Sequence, residues 1–173
     1  INDADKAVPL AKALVEGGIP CAEVTFRTAA AEEAIKRMSA EVPELIVGAG
    51  TVLTKDQADR AVAAGSKFLV STGLDPELIA YCQEKNYPPF TPGTANPSDL
   101  NHAVNLGLDV VKFFPAEAAG GLKMIKSMAA AFTSLKFMPT GGINAGNLNS
   151  YLSYEKIICC GGSWMVPGKL IEI

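Results

Sequence analysis

The sequence has a single histidine among its 173 residues, and its four cysteines show no CxxC spacing. Protein zinc sites are built from clusters of histidine and cysteine, and magnesium or calcium sites need several carboxylates close together. No such cluster is visible in the sequence. Fingerprints of nucleotide cofactors, GxGxxG or the Walker loop, are also missing. The sequence therefore predicts an activity that uses neither a metal nor an organic cofactor.

Long apolar runs and basic stretches are missing as well. No segment reaches the ~18 consecutive apolar residues of a membrane span, and no basic and apolar leader opens the chain. The net charge of -3 comes from interspersed acids and bases, with no stripe of lysine and arginine to match a nucleic-acid backbone. These absences predict a soluble, cytoplasmic protein with neither a membrane nor nucleic acid as a partner.

Three of the four cysteines lie in apolar runs that resemble buried strands. We expect free thiols packed as small hydrophobic groups, because a cytosolic protein rarely contains disulfides.

Seven short β-type runs recur along the chain about 22 residues apart, the length of one strand, one helix and two loops. They are Cys21–Phe26, Leu45–Val47, Phe68–Ser71, Pro89–Thr91, Val110–Phe114, Leu135–Met138 and Ile157–Cys160. Capping patterns between them, such as Thr54 followed by Gln57 and Asn96 followed by Pro97, predict helices. The chain is thus a series of βα units, and we expect one domain over residues 1–173.

Strands that alternate with helices imply a parallel sheet, either open and doubly wound or closed as a (β/α)8 barrel. Spacing alone leaves both architectures open. If the fold is a barrel, its first strand and last helix are missing from the sequence shown, which we then expect to be trimmed at both ends.

A lysine interrupts the apolar run from Val110 to Phe114. Burial disfavours the charged form of an amine, and a neutral amine can attack a carbonyl group to form a Schiff base. The alternative is a structural ion pair between Lys112 and a carboxylate.

Polar side chains also mark the run that follows Cys21. Period-two alternation places Glu23, Thr25 and Arg27 on one side of this strand. Glu23 is a candidate proton shuttle, and the planar guanidinium of Arg27 suits a carboxylate or a phosphate. A local Glu23–Arg27 ion pair is the alternative, although four residues of extended chain span roughly 13 Å.

Glycine-rich turns follow three of the predicted strands: Gly48-Ala49-Gly50-Thr51, Pro139-Thr140-Gly141-Gly142-Ile143 and Gly161-Gly162-Ser163-Trp164. Backbone N–H groups exposed by such turns bind anions. In a barrel the last two would follow the seventh and eighth strands, where barrels commonly bind phosphate.

Five segments together resemble one enzyme family, that of 2-keto-3-deoxy-6-phosphogluconate (KDPG) and 4-hydroxy-2-oxoglutarate aldolases. These segments are Glu23–Thr28, Gly48–Val52, Lys112–Glu117, Pro139–Ile143 and Gly161–Trp164. The similarity runs in order over essentially the whole chain. It implies a (β/α)8 barrel, usually a homotrimer, that cleaves a phosphorylated 2-keto acid into pyruvate and glyceraldehyde 3-phosphate in the Entner–Doudoroff pathway.

The resemblance also implies a role for each candidate residue. Lys112 would form the Schiff base, and Glu23 would act as general acid and base through a water molecule. The substrate carboxylate would be held by Arg27, Thr51 and Thr140, and the phosphate would be received by Gly141, Gly142, Gly162 and Ser163. Pro92, Phe114 and Thr72 would line the pocket. Thr72 stands where the family usually has proline, which puts the substrate preference in question.

Two other functions remain open. The same residues would suit a metal-free sugar-phosphate isomerase or epimerase, in which Glu23 is the base and Lys112 stabilises charge. A non-catalytic barrel that binds phosphorylated ligands is the second alternative.

Overall fold

The computed structural model describes residues 1–171 and contains two compact units. The first comprises Ile1–Ser71 and Glu77–Phe90 together with Ile171, and the second comprises Thr72–Pro76 and Thr91–Leu170. That the chain forms one domain over residues 1–173 stays a prediction.

The first unit alternates helices and strands as the sequence predicts. After a 3-10 helix at Ala4–Lys6, its elements are α1 (Ala7–Glu16), β1 (Cys21–Thr25), α2 (Ala31–Glu41), β2 (Ile46–Gly50), α3 (Lys55–Ala63), β3 (Leu69–Val70), α4 (Pro76–Glu84) and β4 (Phe90–Thr91). The strands form one sheet in the order β1-β2-β3-β4, in which β1, β2 and β3 run parallel.

The second unit repeats this alternation around a second sheet. Its elements are β5 (Gly93–Thr94), α5 (Pro97–Asn105), β6 (Val110–Phe113), α6 (Gly121–Ala129), β7 (Lys136–Pro139), α7 (Leu148–Leu152) and α8 (Gly168–Ile171). The sheet order is β5-β6-β7, and all three strands are parallel.

Each sheet has one apolar face. In the first unit, Val47, Ala49 and Leu69 are fully buried, and α2 packs against β1 and β2. In the second, Val111 and Phe113 belong to a buried cluster that also takes in α5 and α6. Successive side chains of a strand point to opposite faces of the sheet. The residues that alternate with the buried ones, including Glu23 in β1 and Lys112 in β6, therefore lie on the other face.

The helix ends follow the predicted capping chemistry. The Thr54 hydroxyl accepts a hydrogen bond from Gln57 N at 3.2 Å, and the Asn96 side chain accepts one from Asp99 N at 3.0 Å. Gly65 and Gly107 have φ values of 100° and 71° just after α3 and α5. These left-handed glycines end the helices, as the sequence indicates.

Three details of the predicted strands are wrong. The run Ile157–Cys160 is no regular strand, since only Ile157 bridges to Phe137 before Gly161 bridges to Thr140. Strand β2 continues through Gly50, so Gly48 and Gly50 lie in the strand rather than in a turn. The short strand β5 was not expected, because Pro92 and Gly93 are typical of turns.

The expected packing of the thiols is correct only in part. Cys82 is buried in α4 with 2% exposure, and the pKa of its thiol is raised to about 11 mainly by burial. Cys21 and Cys159 are exposed instead.

Among residues 1–171, no helix is long and apolar enough to cross a bilayer.

Candidate active site

Lys112 lies in the middle of β6 and is 3% exposed. The segment around β5 holds its backbone at both the amide and the carbonyl, because Lys112 N donates to Pro92 O at 2.8 Å and the buried Thr94 hydroxyl donates to Lys112 O at 2.9 Å. Lys112 pairs in register with Gly93 of β5 and Met138 of β7. Its side chain lies on the face of the sheet opposite that of Phe113. The predicted burial of this lysine is confirmed.

The end of the Lys112 side chain lies over an aromatic ring. Its Nζ is 5.4 Å from the centroid of Phe114, the first residue after β6, and Phe114 joins Pro115 through a cis peptide bond. A cation or a forming iminium is stabilised by the face of such a ring. The Phe114 ring therefore lies beside the amine of Lys112.

Gly93 brings a further chain segment close to the Lys112 strand. A β-carbon at residue 93 would collide with the carbonyl group of Thr72 and lie 2.8 Å from Gly73 N. The Thr72–Gly73 peptide thus rests directly on the backbone of β5. Pro92, the residue before Gly93, is buried, and its carbonyl accepts the hydrogen bond from Lys112 N.

Glu23 occupies the polar face of β1 in the first unit. It pairs in register with Gly48, and its side chain reaches diagonally to Gly50, where its carboxylate occupies the space that a β-carbon would fill. Any side chain at Gly50 would take the place of this carboxylate. Partial desolvation raises the pKa of the neighbouring Cys21 thiol, and Glu23 raises it further.

Arg27 and Thr51 follow the carboxyl ends of β1 and β2. The backbone turns back after β1, with Arg27 N donating to Thr25 O at 2.8 Å, while Arg27 Nε donates to the Thr25 hydroxyl at 3.2 Å. Arg27 is exposed. Thr51 adopts a left-handed conformation with φ 57°, which is rare for a β-branched residue. Strain of this kind is typical of functional sites.

Thr140 follows β7 and carries a buried hydroxyl. Within residues 1–171, its Oγ1 is one of two buried side-chain oxygens without a hydrogen-bond partner, the other being that of Ser66. Gly161 bridges to Thr140 and lies so close that a β-carbon there would collide with this oxygen. An unsatisfied buried hydroxyl costs free energy unless a ligand or water completes it.

The Gly141-Gly142 turn follows β7 and Thr140 and has an unusual backbone conformation. Its φ values are 101° and 80°, so two consecutive residues are left-handed. The Gly141 carbonyl accepts from Glu117 N at 3.0 Å, and the Gly142 carbonyl accepts from the side-chain amides of Asn144 and Asn147 at 3.2 and 3.0 Å. Both carbonyls of the turn are thus engaged in hydrogen bonds.

Gly162 and Ser163 lie on the exposed segment that follows the bridge between Thr140 and Gly161. The Trp164 ring covers Gly162 so closely that a β-carbon there would collide with it. Ser163 accepts a backbone hydrogen bond from Val166 N at 3.1 Å.

The structure thus divides the predicted residues into two sets. The first unit carries the carboxylate and guanidinium, namely Glu23, Arg27 and Thr51. The second unit carries the amine, the glycine turns and the pocket-wall residues, namely Lys112, Thr140, Gly141, Gly142, Gly162, Ser163, Thr72, Pro92 and Phe114. Most of these residues lie at or beyond the carboxyl ends of strands. Glu23 and Lys112 lie within strands, and Gly162 and Ser163 follow an isolated bridge. In α/β proteins this end of the strands carries the chemistry.

Supporting residues were not found from the sequence. Gly50 makes room for Glu23, Gly93 makes room for the Thr72 peptide, and Thr94 holds the Lys112 carbonyl. The sequence marks the two glycines only as small residues, which come to lie beside polar residues of a neighbouring strand once the strands are paired. Over residues 1–171 there is no group of three acidic, histidine or cysteine side chains able to hold a metal ion.

Comparison with known proteins connects these features to one family. The family model described as KDPG and KHG aldolase matches residues 1–173. A 2-dehydro-3-deoxy-phosphogluconate aldolase from Treponema pallidum is 47% identical over 96% of this chain and 79% of its own length.

Solved structures agree. The aldolase of Zymomonas mobilis ZM4, crystallised with 3-phosphoglycerate, has a TM-score of 0.93 and 48% identity, covering 96% of this chain and 79% of that one. KDPG aldolase from Legionella pneumophila, in which pyruvate was captured as a covalent carbinolamine, has a TM-score of 0.95 and 42% identity, covering 99% and 83%. The likeness confirms the predicted α/β fold of the (β/α)8 class. The chain belongs to the KDPG and KHG aldolase family and is a class I aldolase, a carbon–carbon lyase.

Proposed function

We propose that the protein cleaves 2-keto-3-deoxy-6-phosphogluconate to pyruvate and glyceraldehyde 3-phosphate through an imine on Lys112. The observation that carries this proposal is the burial of a lysine side chain on the non-core face of β6, with its Nζ over the Phe114 ring. The carbinolamine of pyruvate captured in the Legionella pneumophila enzyme supports the same chemistry.

The reaction begins at the substrate ketone. The neutral Lys112 amine attacks C2, and loss of water from the carbinolamine gives an iminium ion. The iminium withdraws the electrons of the C3–C4 bond, which breaks to leave an enamine on Lys112. The C4 hydroxyl loses its proton and becomes a carbonyl, and the fragment that carries C4 departs as the aldehyde. Protonation of the enamine at C3 and hydrolysis of the imine then release pyruvate and the free amine.

Glu23 transfers the protons in these steps. A carboxylate alternates between base and acid when its position is fixed, and contact with the Gly50 backbone restricts where the Glu23 carboxylate can lie. A water molecule carries the proton between this carboxylate and the reacting atoms.

The substrate carboxylate is held by Arg27, Thr51 and Thr140. The exposed Arg27 side chain is oriented by the hydrogen bond from its Nε to the Thr25 hydroxyl. The Thr140 hydroxyl has no hydrogen-bond partner among the described residues and can bind the carboxylate. The phosphate binds to the N–H groups of Gly141, Gly142 and Gly162 and to the hydroxyl of Ser163. Holding both ends aligns the scissile bond, so the phosphate contributes to turnover as well as to affinity.

The second substrate is 4-hydroxy-2-oxoglutarate, which yields pyruvate and glyoxylate, since the matching family acts on both acids. Thr72, Pro92 and Phe114 line the pocket in this proposal, and the Thr72 hydroxyl gives the wall a polar group. Thr72 therefore affects the ratio of the two activities. The physiological reaction belongs to the Entner–Doudoroff pathway.

The assembly and location complete the proposal. The enzyme is a cytoplasmic homotrimer, as the resemblance to its family implies, and its phosphorylated substrate is an intracellular metabolite. Light scattering coupled to size exclusion measures the trimer directly.

A panel of 2-keto acids assayed for pyruvate release tests the proposed activity. We expect the phosphorylated gluconate derivative to have the highest kcat/KM, and Lys112→Arg to abolish cleavage while the protein stays folded. Lys136→Arg, an exchange at the exposed start of β7, is the matched control and should keep full activity. Substantial aldol cleavage by Lys112→Arg would refute the role of Lys112.

A further inference from the structure

Glu117 lies beside the Gly141-Gly142 turn and shapes it from outside. It follows β6 in the chain, and its backbone N–H donates to the Gly141 carbonyl at 3.0 Å. A β-carbon on Gly142 would lie only 2.6 Å from Cβ and Cγ of Glu117, so the stem of this side chain covers Gly142 directly. The position of Glu117 is thereby coupled to the conformation of the turn.

Tyr151 holds the other end of Glu117. Its hydroxyl donates to Oε1 of Glu117, and the tyrosine is 2% exposed in α7. Burial and the hydrogen bond to Glu117 raise the pKa of Tyr151, so the hydroxyl keeps its proton and acts as a donor at neutral pH. A buried hydroxyl of this kind restricts its partner to one place.

The residue that precedes α7 makes a second contact with the turn. Asn147 precedes α7 and donates its side-chain amide to the Gly142 carbonyl at 3.0 Å, and its Oδ1 accepts from Asn144 N at 2.8 Å. Helix α7 therefore reaches Gly142 directly through Asn147 and indirectly through Tyr151 and Glu117. A left-handed glycine pair has many alternative conformations, which these contacts exclude.

We propose that Glu117 and Tyr151 are positioning residues for phosphate: Glu117 covers Gly142, Tyr151 fixes Glu117, and the pair keeps the Gly141-Gly142 turn in its observed left-handed conformation, with its N–H groups placed for the phosphate. This inference rests on the proposed function, which assigns the phosphate to that turn. Neither residue touches the reacting atoms, so the pair determines preference for the phosphorylated substrate without taking part in carbon–carbon cleavage.

The test compares KDPG with 2-keto-3-deoxygluconate, the same carbon chain without phosphate, in Tyr151→Phe and Glu117→Ala. The ratio of the two kcat/KM values should fall by about tenfold, the loss expected when a hydrogen bond to a charged group is removed. Most of the change should appear in KM for KDPG, while cleavage of the unphosphorylated acid is unchanged.

Two control variants separate positioning from general damage. Glu117→Gln keeps an oxygen that accepts from Tyr151 and should keep most of the wild-type ratio. Tyr154→Phe removes a hydroxyl three residues away, from a tyrosine that packs on the same cluster, and should leave the ratio unchanged. Because Glu117→Ala leaves Tyr151 in the core, it keeps the test valid even if Tyr151→Phe folds poorly.

Inhibition by inorganic phosphate gives a second measurement. Its inhibition constant against KDPG should rise in Tyr151→Phe and Glu117→Ala and stay the same in Tyr154→Phe. An unchanged ratio in both variants, or an equal loss on both substrates, would overturn the inference while the proposed function stands. A wild-type enzyme without any preference for the phosphorylated acid would overturn the phosphate assignment itself and the inference with it.

Discussion

The carboxylate of Glu23 lies against the α-carbon of Gly50, in the space that a β-carbon on residue 50 would fill. Thr25 is the register partner of Gly50, so the Glu23 side chain crosses diagonally to the neighbouring strand. The missing side chain at position 50 is therefore part of the environment of the proposed acid and base.

Gly50→Ala should displace the Glu23 carboxylate and lower kcat by at least tenfold, since a positioned general acid or base contributes about 10²- to 10⁴-fold. The group that must yield is the end of a flexible side chain, so the protein should remain folded. Steady-state kinetics and thermal unfolding measure the two effects.

Gly48→Ala is the matched control for Gly50→Ala, because it adds the same methyl group to the same face of β2 but meets the Phe68 ring. It should reduce stability with a smaller effect on kcat. Equal losses of kcat in both variants would show that distortion of the strand, and not displacement of Glu23, is the cause.

Gly93→Ala should destabilise the protein by about 1–3 kcal/mol, the usual cost of overpacking, because the methyl group would collide with the backbone of Thr72. Backbone cannot yield as a side-chain end does. Urea denaturation measures the change in the free energy of unfolding. Gly73→Ala, where a β-carbon has nothing within 4 Å, serves as the control and should cost little. Equal stability of the two variants would contradict the close contact.

The order of elements could be predicted from the sequence because local signals specify it. Thr54 and Asn96 cap their helices as expected, and period-two alternation placed Lys112 and Phe113 on opposite faces of β6. The strand at Ile157–Cys160 was wrong because an apolar run shows burial tendency but not whether a neighbouring strand pairs along its whole length.

Contacts between distant segments could not be predicted in this way. The bond between Tyr151 and Glu117 joins residues that are 34 positions apart, and no local pattern indicates that the two residues meet. The fit of Glu23 onto Gly50 likewise depends on register, which becomes apparent only when β1 and β2 are paired. The family resemblance supplied candidate roles for Thr51 and Thr140, which the residue pattern showed only as parts of turns.

Asp59 connects two tyrosines, and this cluster should show in the pH dependence of stability. Tyr87 and Tyr81 both donate to the Asp59 carboxylate, at 2.7 and 2.8 Å. The hydrogen bond from Tyr87 is the largest cause that lowers the pKa of Asp59, and the bond to Asp59 raises the pKa of Tyr87 to about 12 from 10.0.

The directions of these two pKa shifts define the pH range over which the cluster stabilises the protein. Because the Tyr87 pKa is raised, its contribution is complete below pH 10 and is lost as pH rises through about 12. Because the Asp59 pKa is lowered, its contribution is lost as pH falls below 3.8. Urea denaturation of wild type and Tyr87→Phe should therefore give a stability difference that is constant near neutrality and shrinks at both extremes. A difference that is independent of pH would argue against the cluster.

The central claim concerns one amine, and reductive trapping tests it most directly. Incubation with pyruvate and borohydride, followed by peptide mass spectrometry, should show a reduced pyruvate adduct on Lys112 and none in Lys112→Arg. A sugar-phosphate isomerase or a non-catalytic binding protein would form no adduct. An unmodified Lys112 in a protein that still releases pyruvate from its substrate would contradict the account.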